Sequence, residues 1–391
     1  MKVLVIASHV THPTEDNYNR SYTGYGKAVY DHCYSASLYD IDIHVIGISN
    51  FTKGFQDGRL RFIRKTYRDI LNSFSFRKVL ITLWSLRWLY IKSFKLSIRL
   101  MFSAIQYGFI KNLVEQENYD RIVLHGASVD TIPYFYFSFH EVPHITLHGF
   151  LKGEVGVMKV HGDIEDKFMQ YVNQWTCALS AVSRGVIIKV KRHYSVVNTR
   201  VIYNPLPAHL MNAKISALHN NLREGVCCVG NLSRRKNQIQ LYRLWDFYLR
   251  PLMINCIVAG EFVNGELKPS MSKEGFVLTG KLTRAEIMAL FGESKLNIVF
   301  SLSEGFGLSV IEALYMGVPT LMYSDLDAFK DFKNLYGVIG IERTMPLDSI
   351  RNIVIELLKT DWDQVKMRTQ LEVFNPQNVG LRLKEFYSLN A

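Results

Sequence analysis

Two glutamates with seven residues between them, Glu304 and Glu312, mark the stretch of this sequence best equipped for chemistry. They lie in SLSEGFGLSVIEALYMGVPT (301–320), between the apolar runs LNIVF and TLMY. Gly305 and Gly307 flank Phe306 where a helix should begin. Glycines there let backbone N–H groups approach an anion closely, and the helix dipole adds positive potential. A phosphate or a sugar hydroxyl fits such a place. Glu304, at a strand end, can reach sugar hydroxyls beyond the carboxyl edge of a sheet. Glu312, two turns into the helix, suits a bidentate bond to a ribose diol if it is turned inward. An ordinary strand–turn–helix with solvated glutamates is the plainer reading. The coincidence of the paired acids, the E-G-F-G turn and G-V-P before the next strand outweighs it.

Other segments extend the pattern. Residues 229–238 (VGNLSRRKNQ) read as a strand ending in glycine and then a basic loop. With 277–288 (VLTGKLTRAEIM), 181–183 (AVS) and 201–205 (VIYNP), the chain resembles retaining glycosyltransferases of the GT-B fold, specifically glycosyltransferase family 4. The likeness spans roughly 175–325 and is weaker before it. The resemblance implies an α/β protein of two Rossmann-like doubly wound domains facing across a cleft. It implies that Glu304 contacts the donor sugar and that the backbone of Gly305, Phe306, Gly307 and Leu308 binds sugar and phosphate. Glu312 would hold the ribose, and Lys236 with Arg235 would neutralise the diphosphate beside Gly230. Gly280 and Leu282 would lie by the base. The family often has Arg directly after the glycine of the second motif, where this chain has Asn231; Arg234 and Arg235 are the available replacements.

The resemblance also implies roles in the first half of the chain. His148, in TLHGF, matches the histidine that faces the donor sugar, where it would hydrogen-bond a hydroxyl or support developing charge. His125, comparably placed in LHGAS, reads as structural. Gly24 and Gly26, in YTGYG, resemble the glycine pair near the diphosphate, and a flexible turn is an equal reading. Catalysis would need no protein nucleophile. Lys236 and the loop amides share the charge of the departing phosphate, which can take the acceptor's proton on the same face. No D-x-D stands where a metal loop is expected, since Asp325-Leu326-Asp327 follows the TLMY strand; no metal and no cofactor is called for.

These residues must be positioned by elements that the sequence also predicts. KVLVIAS (2–8) is a continuous apolar run of the kind found in buried parallel strands. A polar loop follows to Gly26, then a helix over 27–38 and strands at 43–48, 121–125, 144–147, 178–182 and 200–203. NPLP (204–207) punctuates the chain, and strands alternate with helices again: strands at 225–230, 255–259, 275–278, 296–300 and 320–322, helices at 237–248, 284–293 and 309–315. Such alternation implies parallel sheets. The expected domains are 1–205 for the acceptor, 206–375 for the nucleotide sugar, and a helix over 376–391 crossing back. A length of 391 residues fits two domains of roughly 100–200 each.

Composition narrows the class. Five cysteines with no C-x-x-C spacing argue against zinc and against a disulfide framework, and fit a cytoplasmic protein. MKVLVIASHVTHP reads as a first strand rather than a secretory leader, and no apolar run of about 18 residues is present to span a membrane. The net charge of +11 favours anionic partners. Part of it lies in the basic, aromatic segment 70–114, which has no acidic residue. There Arg77, Lys78, Arg87, Lys92, Lys95 and Arg99 are interleaved with Phe74, Phe76, Trp84, Trp88, Tyr90 and Phe94. Lys92, Lys95 and Arg99 fall on one helical face, the composition of an interfacial helix on an anionic membrane. Nucleic acid would also suit it, but the donor motifs give nucleic acid no role. The expected activity is transfer from a nucleotide-sugar donor, a UDP-sugar by default, to a glycan or lipid-linked acceptor. O-antigen or lipopolysaccharide assembly at the inner face of the cell membrane is the natural setting. A nucleotide-sugar epimerase of the same architecture and a catalytically silent partner subunit are the alternatives, Asn231 favouring the last.

Overall fold

A computed structural model describes residues 1–11, 24–49, 54–85, 93–135, 142–154, 158–207, 210 and 223–389. The chain divides into two compact units: Met1–Val182 with Val186–Ala208 and Phe374–Ala391, and Ser183–Gly185 with His209–Val373.

The first unit holds β1 (Lys2–Ala7), β2 (Asp42–Gly47), β3 (Phe55–Asp57), β4 (Leu60–Phe62), β5 (Arg121–His125), β6 (His144–Leu147), β7 (Leu179–Ala181) and β8 (Thr199–Val201). They form one sheet in the order β3-β4-β2-β1-β5-β6-β7-β8. Every pairing is parallel except the β3–β4 hairpin. The apolar run of β1 follows from burial on both faces. Leu4 and Ile6 enter one core with residues of the helices Phe94–Glu117 and Lys159–Gln174. Val3 and Val5 enter another with Val29 and Cys33 of the helix Gly24–Ser37 and Val379, Leu383 and Phe386 of the helix Pro376–Tyr387. Alternate residues of a strand face opposite sides, so a strand covered on both shows no polar alternation.

The second unit holds β9 (Val226–Val229), β10 (Cys256–Ala259), β11 (Phe276–Gly280), β12 (Leu296–Val299), β13 (Thr320–Tyr323) and β14 (Val338–Ile341), ordered β11-β10-β9-β12-β13-β14 and wholly parallel. Counted within the unit this is the 3-2-1-4-5-6 order of a dinucleotide-type doubly wound sheet, whose direction of winding reverses between its first and fourth strands. Those strands are β9 and β12.

Some expectations shift. The first helix begins at Gly24 rather than Lys27, so Gly24 and Gly26 lie in its opening turn and not in a flexible loop. The stretch expected as one helix over 237–248 is an α-helix only to Leu244, followed by a π-helical turn, Trp245–Leu249. That turn carries a fully buried Trp245 whose Nε1 donates to the Ile254 carbonyl at 2.9 Å. The segment 70–114 forms the helix Phe76–Ser85 and most of Phe94–Glu117. Arg87, Trp88, Tyr90 and Lys92 lie outside the described residues. Lys95 is exposed, but Arg99 does not share that free basic face: it pairs with the buried Asp130. A carboxylate taken out of water needs its counter-charge.

The helix Pro376–Tyr387 packs on the first helix through Gly380, where a Cβ would stand 2.1 Å from the Ser35 carbonyl oxygen. Gly380→Ala should therefore destabilise the protein by about 1–3 kcal/mol through overpacking, although alanine is the better helix former by about 1 kcal/mol. Urea unfolding checks this; an unchanged or raised midpoint would show that the two helices part without cost.

Candidate active site

At the carboxyl edge of the second sheet, the loops after β9 and β12 bring opposite charges together. Lys236 Nζ donates to Glu304 Oε2 at 2.5 Å, and both side chains are largely buried. Arg235 adds a guanidinium 3.8 Å from the same carboxylate oxygen and donates to the Ser303 carbonyl at 2.9 Å. Ser301 Oγ donates to Glu304 Oε2 at 3.3 Å. Burial alone would push the Glu304 carboxyl up. Lys236, Arg235 and the hydrogen bonds from Lys236 and Ser301 outweigh it and hold the group below the ordinary glutamate range.

Backbone geometry builds the two loops. Gly230 has φ +154°, and a Cβ there would press on the Lys236 stem at 3.4 Å. Gln238 is buried and clamps the first loop: its Nε2 donates to the Gly230 and Asn231 carbonyls at 3.1 and 3.0 Å, and its Oε1 accepts from Ser233 N at 3.3 Å. Asn237, at φ +51°, ties this loop to the neighbouring strand end by donating to the Phe300 carbonyl at 3.2 Å. In the second loop Gly307 takes φ +84° just before the helix Leu308–Tyr315, a conformation that a side chain strains. Phe306 is buried edge-on against Phe332, with ring centroids 5.4 Å apart, so this residue offers only its backbone to a ligand. Glu312 is buried in the second turn of that helix rather than solvated.

The remaining expected residues of this unit fall at its edge. Gly280 ends β11 with φ +71° and open space above it. Leu282 packs partly against the cluster of Cys227, Ala259, Leu290 and Phe291. Of the two arginines that could replace a cation at Asn231, Arg235 reaches the carboxylate, whereas Arg234 is exposed. Sequence reasoning missed Arg343. It donates to the Leu302 carbonyl at 3.1 Å, pairs with Asp325 at 2.9 Å and lies over the Tyr323 ring. No motif surrounds it. In the D-L-D stretch Asp325 is thus engaged by Arg343, and Asp327 is buried 3.6 Å from Lys330. Among the described residues no group of three or more His, Cys, Asp and Glu side chains is placed to hold a metal ion.

In the first unit, His148 follows β6 and is joined to His125, the last residue of β5, by a hydrogen bond between His125 Nδ1 and His148 Nε2 at 2.9 Å. His32 completes a group of rings, its centroid 5.8 Å from His125 and 5.6 Å from His148. Burial drives all three toward the neutral form: His32 falls to about 4, and His125 and His148, further opposed by their neighbours, lie well below the usual histidine range. Gly26 lies under the chain that leaves β1. A Cβ there would collide with Thr11 Oγ1 at 2.5 Å, so its smallness serves that crossing. Gly24 is exposed with nothing within 4 Å.

Two parallel doubly wound sheets, with a charged anion-type loop pair at the switch point of the second, define a GT-B protein. The sequence profile described as glycosyl transferases group 1 matches residues 213–335, within the second unit. The fold recurs in solved structures of low identity. The α,α-trehalose-phosphate synthase (UDP-forming) of Burkholderia xenovorans, bound to glucose-6-phosphate, superposes with a TM-score of 0.66 at 12% identity over 100% of both chains. HepE of Anabaena, bound to UDP, gives 0.63 at 16% over 99% of this chain and 100% of its own. WaaG, a glycosyltransferase involved in lipopolysaccharide biosynthesis, gives 0.61 at 11% over 99% and 97%. No curated protein matches the sequence.

Because Glu304 ionises more readily in the folded chain, its pairing stabilises the protein at neutral pH and is lost as pH falls below the ordinary glutamate range. Lys236→Met should leave a buried carboxylate short of its main partner and cost about 3 kcal/mol at pH 7. That deficit should shrink on acidification, when Glu304 is protonated in the variant and the pair is lost in the parent. Urea midpoints across pH measure it; a deficit independent of pH would mean that the ammonium does not serve this carboxylate.

Proposed function

We propose that the chain is a retaining, metal-independent transferase of glycosyltransferase family 4 that takes a nucleotide-sugar donor, a UDP-sugar. The carrying observation is the convergence of Lys236, Arg235 and Glu304 at the switch point between β9 and β12, beside the start of the helix Leu308–Tyr315. Ligands of such sheets bind beyond the carboxyl ends of the strands at this point. A diphosphate there would replace Glu304 on the Lys236 ammonium, and the freed carboxylate would turn to hydroxyls of the transferred sugar. Glu312 would hold the ribose diol, the amides of Gly305–Leu308 the sugar and phosphate, and Gly280 and Leu282 the base.

In the reaction the bond from the anomeric carbon to the diphosphate oxygen breaks and a bond to the acceptor oxygen forms on the same face. The acceptor's proton passes to the departing phosphate. Lys236 and Arg235 lower the barrier by stabilising the charge that grows on that phosphate. Arg235 also weakens the case for a silent subunit, because it supplies a cation near the place where Asn231 lacks one. Engagement of Asp325 and Asp327 by Arg343 and Lys330 favours a reaction without a metal at that loop.

A glycan or lipid-linked acceptor in cell-surface polysaccharide assembly is supported by the first unit's surface. Phe76, Trp84 and Phe94 are 66%, 70% and 76% exposed, and Arg77 and Lys95 are exposed beside them in sequence. No described helix is long and apolar enough to cross a membrane, so such a surface would rest peripherally on anionic lipid.

A thermal-shift panel of UDP-, GDP- and ADP-sugars should give its largest shift with a UDP-sugar. Glu304→Ala should lower kcat by on the order of 100-fold with a modest loss of nucleotide affinity, and Lys236→Ala should weaken both. Near-normal transfer by Glu304→Ala would overturn its assignment, and hydrolysis or epimerisation without transfer would overturn the reaction. Flotation with anionic liposomes should fail after Phe76→Ser, Trp84→Ser and Lys95→Glu are combined; unchanged binding would remove the membrane surface from the account.

A further inference from the structure

The first sheet has a switch point of its own. After β1 the chain adds β2 and its neighbours on one side and β5 to β8 on the other, so the winding reverses between β1 and β5. Ligands of such sheets bind beyond the carboxyl ends of the strands at that place. Ser8 follows the end of β1, and Ser128 and Asp130 lie in the turn after β5. Ser8 Oγ and Ser128 Oγ are 2.9 Å apart and join the two strand ends.

Arg99, on the helix Phe94–Glu117, pairs here with Asp130. The two partners are held very differently. The Asp130 side chain is 2% exposed, its N–H donates to Ser128 Oγ at 3.2 Å, and its carbonyl accepts from Ser103 Oγ at 2.7 Å. The Arg99 side chain is 41% exposed. A guanidinium carries five N–H donors in a rigid fork, and among the described residues Arg99 hydrogen-bonds only to Asp130, through one terminal nitrogen. Such a fork is made for two parallel bonds to a carboxylate or phosphate. Asp130 therefore anchors the group and leaves most of its donors on the accessible side. Two partly exposed imidazoles stand in the field of this charge: burial and Arg99 lower His9 to about 4 and lower His161 as well. Neutral rings of this kind suit hydrogen bonds to sugar hydroxyls.

On the reading of the first unit as the acceptor domain, we propose that Arg99 is a specificity-determining residue: its unused N–H groups bind an oxyanion of the acceptor, a phosphate or a carboxylate, beyond the ends of β1 and β5. Asp130 stays in place and holds the guanidinium. This differs from the second unit, where the diphosphate displaces Glu304 from Lys236. An acceptor lacking an acidic group leaves the Arg99 donors to water and binds less tightly.

The test is ligand-observed saturation-transfer NMR on the full chain with glucose 6-phosphate, glucuronate and glucose as probes. UDP is present in excess, so that the probes do not compete for the diphosphate loop. One of the two anionic sugars should bind about 10-fold or more tightly than glucose, the worth of one charge-assisted hydrogen bond, and the tighter of them names the oxyanion. Equal affinity for all three overturns the inference. Arg99→Gln alone would strand the Asp130 carboxylate, so the guanidinium is tested on Asp130→Asn, which leaves an amide oxygen for Arg99 and no lone buried charge. Asp130→Asn should keep the preference for the anionic sugar, and Asp130→Asn combined with Arg99→Gln should lose it. A preference that survives in the combined variant overturns the role of Arg99. Arg99-dependent binding of an anionic sugar that neither accepts the donor sugar nor alters donor turnover would overturn the acceptor reading and leave the oxyanion site standing.

Discussion

The Lys236 ammonium and the Glu304 carboxylate come from different βα turns and meet at 2.5 Å. Each would be costly where it lies without the other, because desolvation penalises a lone buried charge by several kcal/mol. Their meeting requires β9 and β12 to be neighbours, although 65 residues lie between Gly230 and Leu296. It requires the β9 loop to turn at Gly230 and be clamped by Gln238, and the β12 loop to turn at Gly307. The parallel sheet and its right-handed crossovers supply the first condition. Backbone conformations open to glycine supply the others.

Much of this was legible. Strands buried on both faces announce themselves as short apolar runs, so most strand positions were correct to a residue or two. The E-G-F-G turn and the basic loop after VGN gave the charged residues that meet. Other features carry weak local signals. The β3–β4 hairpin turns at Gly58-Arg59, with Gly58 at φ +55° in the first turn position, but its strands have only three residues each. β14 is a short run whose burial depends on β13 beside it. The choice of Arg235 over Arg234 depends on which way a loop side chain points, and neighbouring residue types do not fix that. Arg99 was legible as a cation on a basic face but not as the partner of Asp130, a residue outside the segment. His125 read as structural, and only the pairing of β5 with β6 reveals its hydrogen bond to His148.

The two units use polar groups differently at their sheet edges. The second keeps a charge pair, which a diphosphate can enter by exchange for a carboxylate. At the ends of β5 and β6 the first keeps uncharged imidazoles under tyrosine and its own backbone, a setting for directional hydrogen bonds rather than for charge neutralisation. At 11–16% identity the neighbours share this architecture while most surface chemistry is free to differ. The positive charge of the chain, its exposed aromatics and the neutral histidines are accordingly read from this sequence itself.

A structure of the chain with UDP bound tests the central claim most directly. The account predicts the diphosphate on Lys236 and Arg235, its oxygens within about 3 Å of the ammonium, with the Glu304 carboxylate released and the ribose on Glu312. Nucleotide seated elsewhere, with the Lys236–Glu304 pair intact, would contradict it.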